Sequence, residues 1–87
     1  MSMTIFTEHA LFQMHRRGIS EKDVKEIIKN PEQIEEIRPG RIVMQSRILT
    51  GKPKMKFLVR VFVDLSEDTI KIVTVYRTSK IDKYWRL

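Results

Sequence analysis

The chain has 87 residues, 41% hydrophobic and 32% charged, which fits one globular domain over residues 1–87 and excludes a second core or wholesale disorder. It contains no cysteine, which removes a disulfide framework, a thiolate metal site and a Cys nucleophile, and favours a reducing compartment. Its net charge of +6 is unevenly placed: residues 1–40 carry 6 basic and 7 acidic side chains (net −1), residues 41–87 carry 11 basic and 4 acidic (net +7), the footprint of a polyanion-binding surface.

In chain order, the first predicted element is a helix over Glu8 to Arg17, with Thr7 as N-cap, Glu8 in the first turn and Gly18 placed to end it in a left-handed conformation. Ser20-Glu21-Lys22-Asp23 matches a capping box, and Ile19 can staple onto Val24, so a second helix follows to about Lys29. Its Val24, Ile27 and Ile28 make one buried stripe, and Asn30-Pro31 stops it. Beyond Pro31 β-branched residues take over. Strands are expected at Ile34 to Arg38, Arg41 to Leu49, Lys56 to Asp64 and Thr69 to Arg77, with connections short enough for an antiparallel meander. The expected architecture is α+β, with two N-terminal helices packed on a three- to four-stranded antiparallel sheet.

Alternation separates the faces of the last two strands. Phe57, Val59, Val61 and Val63 form an apolar side of one, opposite Leu58, Arg60, Phe62 and Asp64. On the other, Ile70, Ile72, Thr74 and Tyr76 share one side and Lys71, Val73, Val75 and Arg77 share the opposite one. If the more apolar sides meet the helices, Arg60 and Arg77 both point out of the far face, an inference that a one-residue slip would destroy. Apolar runs such as Val61-Phe62-Val63 fall far short of the roughly 18 residues a membrane span needs, and Met1 to Met14 has no basic segment before an apolar run, so a cytoplasmic protein is expected.

Chemistry-bearing residues are few. His9, Gln13 and Arg16 or Arg17 lie along one stripe of the first helix, where an imidazole near arginines suits acid–base work beside a phosphate; an ordinary solvated or capping histidine gives the same pattern. His15 falls on another side of that helix, so the two histidines cannot chelate one metal, and neither metal nor cofactor is expected. The run from Tyr76 to Arg86 mixes cations, hydroxyls and rings, including Arg77, Ser79, Lys80 and Tyr84, as RNA binding would use; alternatively Tyr84 and Trp85 fold back over the core. Gly51-Lys52 is not a phosphate-binding loop, because the earlier glycine is absent, no Ser or Thr follows Lys52, and two strands flank it.

Thr7-Glu8-His9-Ala10-Leu11, Met14, Arg17-Gly18-Ile19-Ser20, Val24, Asn30-Pro31, Thr74-Val75-Tyr76-Arg77-Thr78-Ser79-Lys80 and Tyr84-Trp85 together resemble a family of small prokaryotic proteins of unknown function. That family is similar to the BrnT and RelE-like toxins of toxin–antitoxin pairs. Members commonly have Arg before the Met of the first helix, where this chain has Gln13. The resemblance implies a RelE-like ribonuclease-toxin fold whose open sheet face receives RNA, and metal-independent cleavage by 2′-hydroxyl attack; alternatively the sheet face or an edge strand binds a partner protein, as a toxin-like scaffold would bind an acidic antitoxin. It implies Arg77 and Lys80 as stabilisers of transition-state charge and His9 or Tyr84 as proton-transfer groups; Arg60 joins them through the face assignment. Arg16, Arg17, Lys71 and Ser79 are further expected RNA contacts. The same basic face could instead hold RNA or DNA uncut, or bind a partner protein.

Overall fold

The structure, a computed structural model, describes residues 3–87. In chain order these form β1 (Met3–Phe6), α1 (Glu8–Arg17), α2 (Glu21–Lys29), β2 (Gln33–Arg38), β3 (Arg41–Thr50), β4 (Met55–Leu65), β5 (Thr69–Thr78) and the short α3 (Ile81–Tyr84). Both long helices start as their caps dictate. The Thr7 hydroxyl accepts from the Ala10 N–H at 3.1 Å and the Ser20 hydroxyl from the Asp23 N–H at 3.0 Å, while Gly18, at φ 66°, ends α1. Among the described residues no helix is long and apolar enough to cross a membrane.

The fold is α+β, with two helices on a sheet, but the sheet has five strands in the order β1-β5-β4-β3-β2 and is mixed. The expected meander is present in β2 to β5, whereas β1 pairs parallel with β5, from Met3 opposite Thr69 to Phe6 opposite Ile72. This corrects both the strand count and the all-antiparallel expectation. A four-residue edge strand whose partner lies more than 60 positions away leaves no local turn signal in the sequence.

The helices bury Ala10, Met14, Val24 and Ile27 against Val59, Val61, Val63, Ile72 and Val75 on one sheet face. Each fully buried Val or Ile contributes about 1.5–3 kcal/mol relative to exposure. Phe57 and Ile70, expected in this core, are only half-buried.

A bulge in β5 changes the face assignment. Phe62 lies opposite Thr74 but Val63 lies opposite Ile72, so Val73 is an extra residue on β5. Ile70 and Ile72 face the helices before the bulge; Val75 and Arg77 do so after it, with Arg77 opposite Val59 and Tyr76 opposite Arg60. Arg60 and Arg77 therefore stand on opposite faces, contrary to the uninterrupted alternation. The two fully buried residues Ile72 and Val75 require this reversal, since a regular strand would send one of them to the far side. Gln13 of α1 supports the distorted strand, its Oε1 accepting from the Val75 N–H at 3.0 Å.

The far face is not bare either. Val43 and Leu58 are fully buried there, and the end of α3 and the residues after it are bonded to Gln33 of β2 and Gln45 of β3. Trp85 stacks on Arg47, with the guanidinium carbon 4.0 Å from the ring centre, so the fold-back of Tyr84 and Trp85 is the arrangement adopted.

Candidate functional site

On the far face, β4 presents Leu58, Arg60, Phe62 and Asp64, and register places Arg60 between Gln45 of β3 and Tyr76 of β5. Arg60 is 8% exposed. Its Nε donates to Gln45 Oε1 at 2.8 Å and its Nη1 to the Tyr76 hydroxyl at 2.7 Å. Three rings surround its guanidinium carbon: Tyr84 at 4.5 Å, Phe62 at 5.3 Å and Tyr76 at 5.7 Å. Ring quadrupoles and two neutral oxygens thus hold a nearly buried cation.

Gln45, 2% exposed, is fixed in turn. Its Nε2 donates to Gln33 Oε1 at 2.8 Å and to the Tyr84 carbonyl at 3.1 Å, which aims its own oxygen at Arg60. Gln33 completes the chain by donating to the Arg86 carbonyl at 2.5 Å and accepting from the Arg86 N–H at 3.1 Å. The amide pair therefore ties the tail that roofs the site to the strands that floor it.

The charge balance around this arginine is specific. Arg41 forms a two-bond pair with Asp64 at 2.6 and 2.8 Å, Arg47 pairs with Glu32 at 2.9 Å, and Arg86 pairs with Glu35. Hydrogen bonding to Arg47 holds the Glu32 carboxyl below its ordinary pKa, and hydrogen bonding to Arg41 does the same for Asp64. Those carboxylates are committed. Among the described residues Arg60 has no carboxylate partner, although it is the most buried arginine. Its Nη2 has no partner among them, and none of their buried side-chain nitrogens or oxygens lacks one, so Nη2 reaches solvent.

Of the residues singled out in the sequence, Arg60 and Tyr84 come together. Lys71 shares their face, exposed and opposite Asp64. Arg77 is on the helix side, its guanidinium carbon 4.6 Å from the Phe57 ring centre, and His9, Arg16 and Arg17 are exposed on α1, on that same side of the sheet. Arg16 lies over the Phe12 ring at 5.7 Å. Ser79 and Lys80 are exposed between β5 and α3, with the Lys80 N–H donating to the Thr78 hydroxyl at 3.1 Å. His9 and Arg77 are thus separated from Arg60 by the sheet. Gln45, Gln33, Phe62 and Tyr76 were not singled out as site residues. Gln45 did carry a signal, since a lone amide within Ile42-Val43-Met44-Gln45 must find partners wherever that strand is buried.

Fold and site together define an α+β domain whose mixed sheet carries α1 and α2 on one face and an aromatic-boxed arginine under a C-terminal flap on the other. Residues 6–77 match the domain of unknown function DUF4258, and the chain belongs to that family. The matched stretch includes Gln45, Arg60, Phe62 and Tyr76 and stops before Tyr84. No curated protein and no solved structure matches the chain.

Proposed function

We propose that this protein acts on RNA at Arg60, as a metal-independent endoribonuclease of the RelE/BrnT toxin type. The observation that carries the reading is the nearly buried Arg60 guanidinium, held by neutral groups with no carboxylate of its own, in the half of the chain with the +7 excess. Such a cation is suited to an anion brought from outside, and a phosphodiester supplies one. In the reaction, the RNA 2′-oxygen bonds to phosphorus as the bond to the 5′-oxygen breaks, leaving a 2′,3′-cyclic phosphate and a 5′-hydroxyl. The 2′-hydroxyl proton is lost and one proton is delivered to the departing oxygen. Arg60 neutralises charge on the phosphoryl oxygens, and Tyr84, whose ring centre lies 4.5 Å from the guanidinium carbon, is a candidate for proton transfer beside the Tyr76 hydroxyl that Arg60 already holds.

A second reading, an RNA-binding module without cleavage, is favoured by one observation: His9 and Arg77 lie across the sheet from Arg60 and cannot join it at one phosphate. The deciding experiment follows a labelled RNA in EDTA with wild type, Arg60→Ala and Arg77→Ala, and with a 2′-deoxy nucleotide at the cut site. Cleavage reduced on the order of 100-fold by Arg60→Ala, far less by Arg77→Ala, and abolished by the 2′-deoxy substitution is expected. Binding without cleavage, on free and ribosome-bound RNA, selects the module instead. Absence of RNA binding at low salt overturns both.

A further inference from the structure

Next to Arg60, the rings of Phe62 and Tyr76 lie side by side on adjacent strands, centres 6.1 Å apart and planes within 18° of each other. Both are half-buried, and Tyr84 meets Tyr76 edge-on at 6.3 Å. Nearly parallel rings present apolar faces on this side of the sheet, beside the buried Val43 of β3, with Thr74 opposite Phe62 and the Asp64–Lys71 pair one step further along the strands. At about 3.3 Å per strand residue, Arg60 and the Asp64–Lys71 position are about 13 Å apart, with the ring pair between them. Asp64 is neutralised by Arg41, which leaves Lys71 as the cation beside it on β5, with Arg38 at the β2 end of the same row.

We infer that the Phe62–Tyr76 pair is a stacking platform for one unpaired nucleobase, between a phosphate at Arg60 and a second phosphate at Lys71, so that the ligand is single-stranded RNA. The inference deepens the proposed RNA reading and rests on it. Alternating cation, ring and cation matches the alternating phosphate and base of an extended strand. Every base has a π face, so the platform itself imposes little sequence preference; Thr74, opposite Phe62, carries a hydroxyl able to bond a base edge. A duplex does not fit this use, since its bases are already stacked on each other.

The test measures equilibrium binding of a short labelled RNA by anisotropy at low salt, with the full chain. Wild type should bind the single strand more tightly than the same sequence in a duplex. Scanning an abasic nucleotide through the oligonucleotide should find one position that weakens binding roughly ten-fold, as expected for loss of one stacked base. Phe62→Leu keeps apolar bulk but removes the ring, and should weaken the intact oligonucleotide by a similar factor while leaving the best abasic one unaffected. Tight single-strand binding that is indifferent to every abasic position and to Phe62→Leu overturns the platform while RNA recognition stands. Equal affinity for duplex also overturns it, and failure of wild type to bind any RNA removes the RNA reading and the platform together.

Discussion

At Arg60, the sequence and the structure disagree about what kind of residue it is: alternation makes it one of two exposed cations, whereas it is 8% exposed and its supposed companion Arg77 lies on the other face. Tertiary neighbours made the difference, because Gln45, Tyr76 and Tyr84 come from three other elements and close around it. The neighbouring carboxylates yield a pH prediction. Glu32, bonded by Arg47 through side chain and backbone N–H, and Asp64, bonded by Arg41, have pKa values lowered by folding. A depressed folded pKa stabilises the protein above the unfolded value, about 3.9 for Asp and 4.3 for Glu, and that contribution is lost as pH falls through the folded value. Glu32→Gln should therefore unfold at lower urea than wild type at about pH 7, with the gap closing by about pH 2. A gap unchanged on acidification would mean that the ionised carboxylate is not what Arg47 stabilises.

Helices were legible in the sequence and strand pairing was legible in part, for reasons that belong to elements. Thr7, Gly18, Ser20 and Pro31 mark helix ends through local backbone chemistry, and α1 and α2 begin and end where those residues place them. β2 to β5 follow their β-branched runs and short turns to within one residue at each end. β1 and the β5 bulge escaped because both depend on distant contacts: β1 on its parallel neighbour, the bulge on the need to keep Ile72 and Val75 in one core. Gln13 links these elements, since β1 no longer flanks β5 beyond Ile72 and the Gln13 side chain supplies the acceptor for the buried Val75 N–H. Gln13→Met keeps the length of the side chain but removes the oxygen. It should destabilise the protein by about 1–3 kcal/mol in urea unfolding, the cost of leaving a buried N–H unpaired. A loss below about 0.5 kcal/mol, typical of a surface change, would show that the bulge does not need α1 to hold it.

Over the whole molecule, the +7 excess of residues 41–87 is redistributed by folding, because Arg47 and Arg86 pair with Glu32 and Glu35 from the acidic half and Arg41 pairs with Asp64. What remains divides between the β3–β4 hairpin end with Lys52, Lys54 and Lys56, the helix side with Arg77, and the far face and its flap with Arg60, Lys71, Lys80 and Lys83. The sequence located the charge in one half of the chain but not on one surface, since ion pairing and sheet facing are decided only by the fold. RNA bound across the far face would meet the last group, about four cations, and log affinity should fall against log salt with a slope of about −3. Lys71→Gln should reduce the steepness by about 0.7, one phosphate contact on a single strand, whereas Lys52→Gln should leave the slope unchanged. The reverse pattern, a slope altered by Lys52→Gln and indifferent to Lys71→Gln, would move the RNA to the hairpin tip, where no boxed arginine or ring pair waits for it, and Arg60 would then serve only to hold the flap on the sheet.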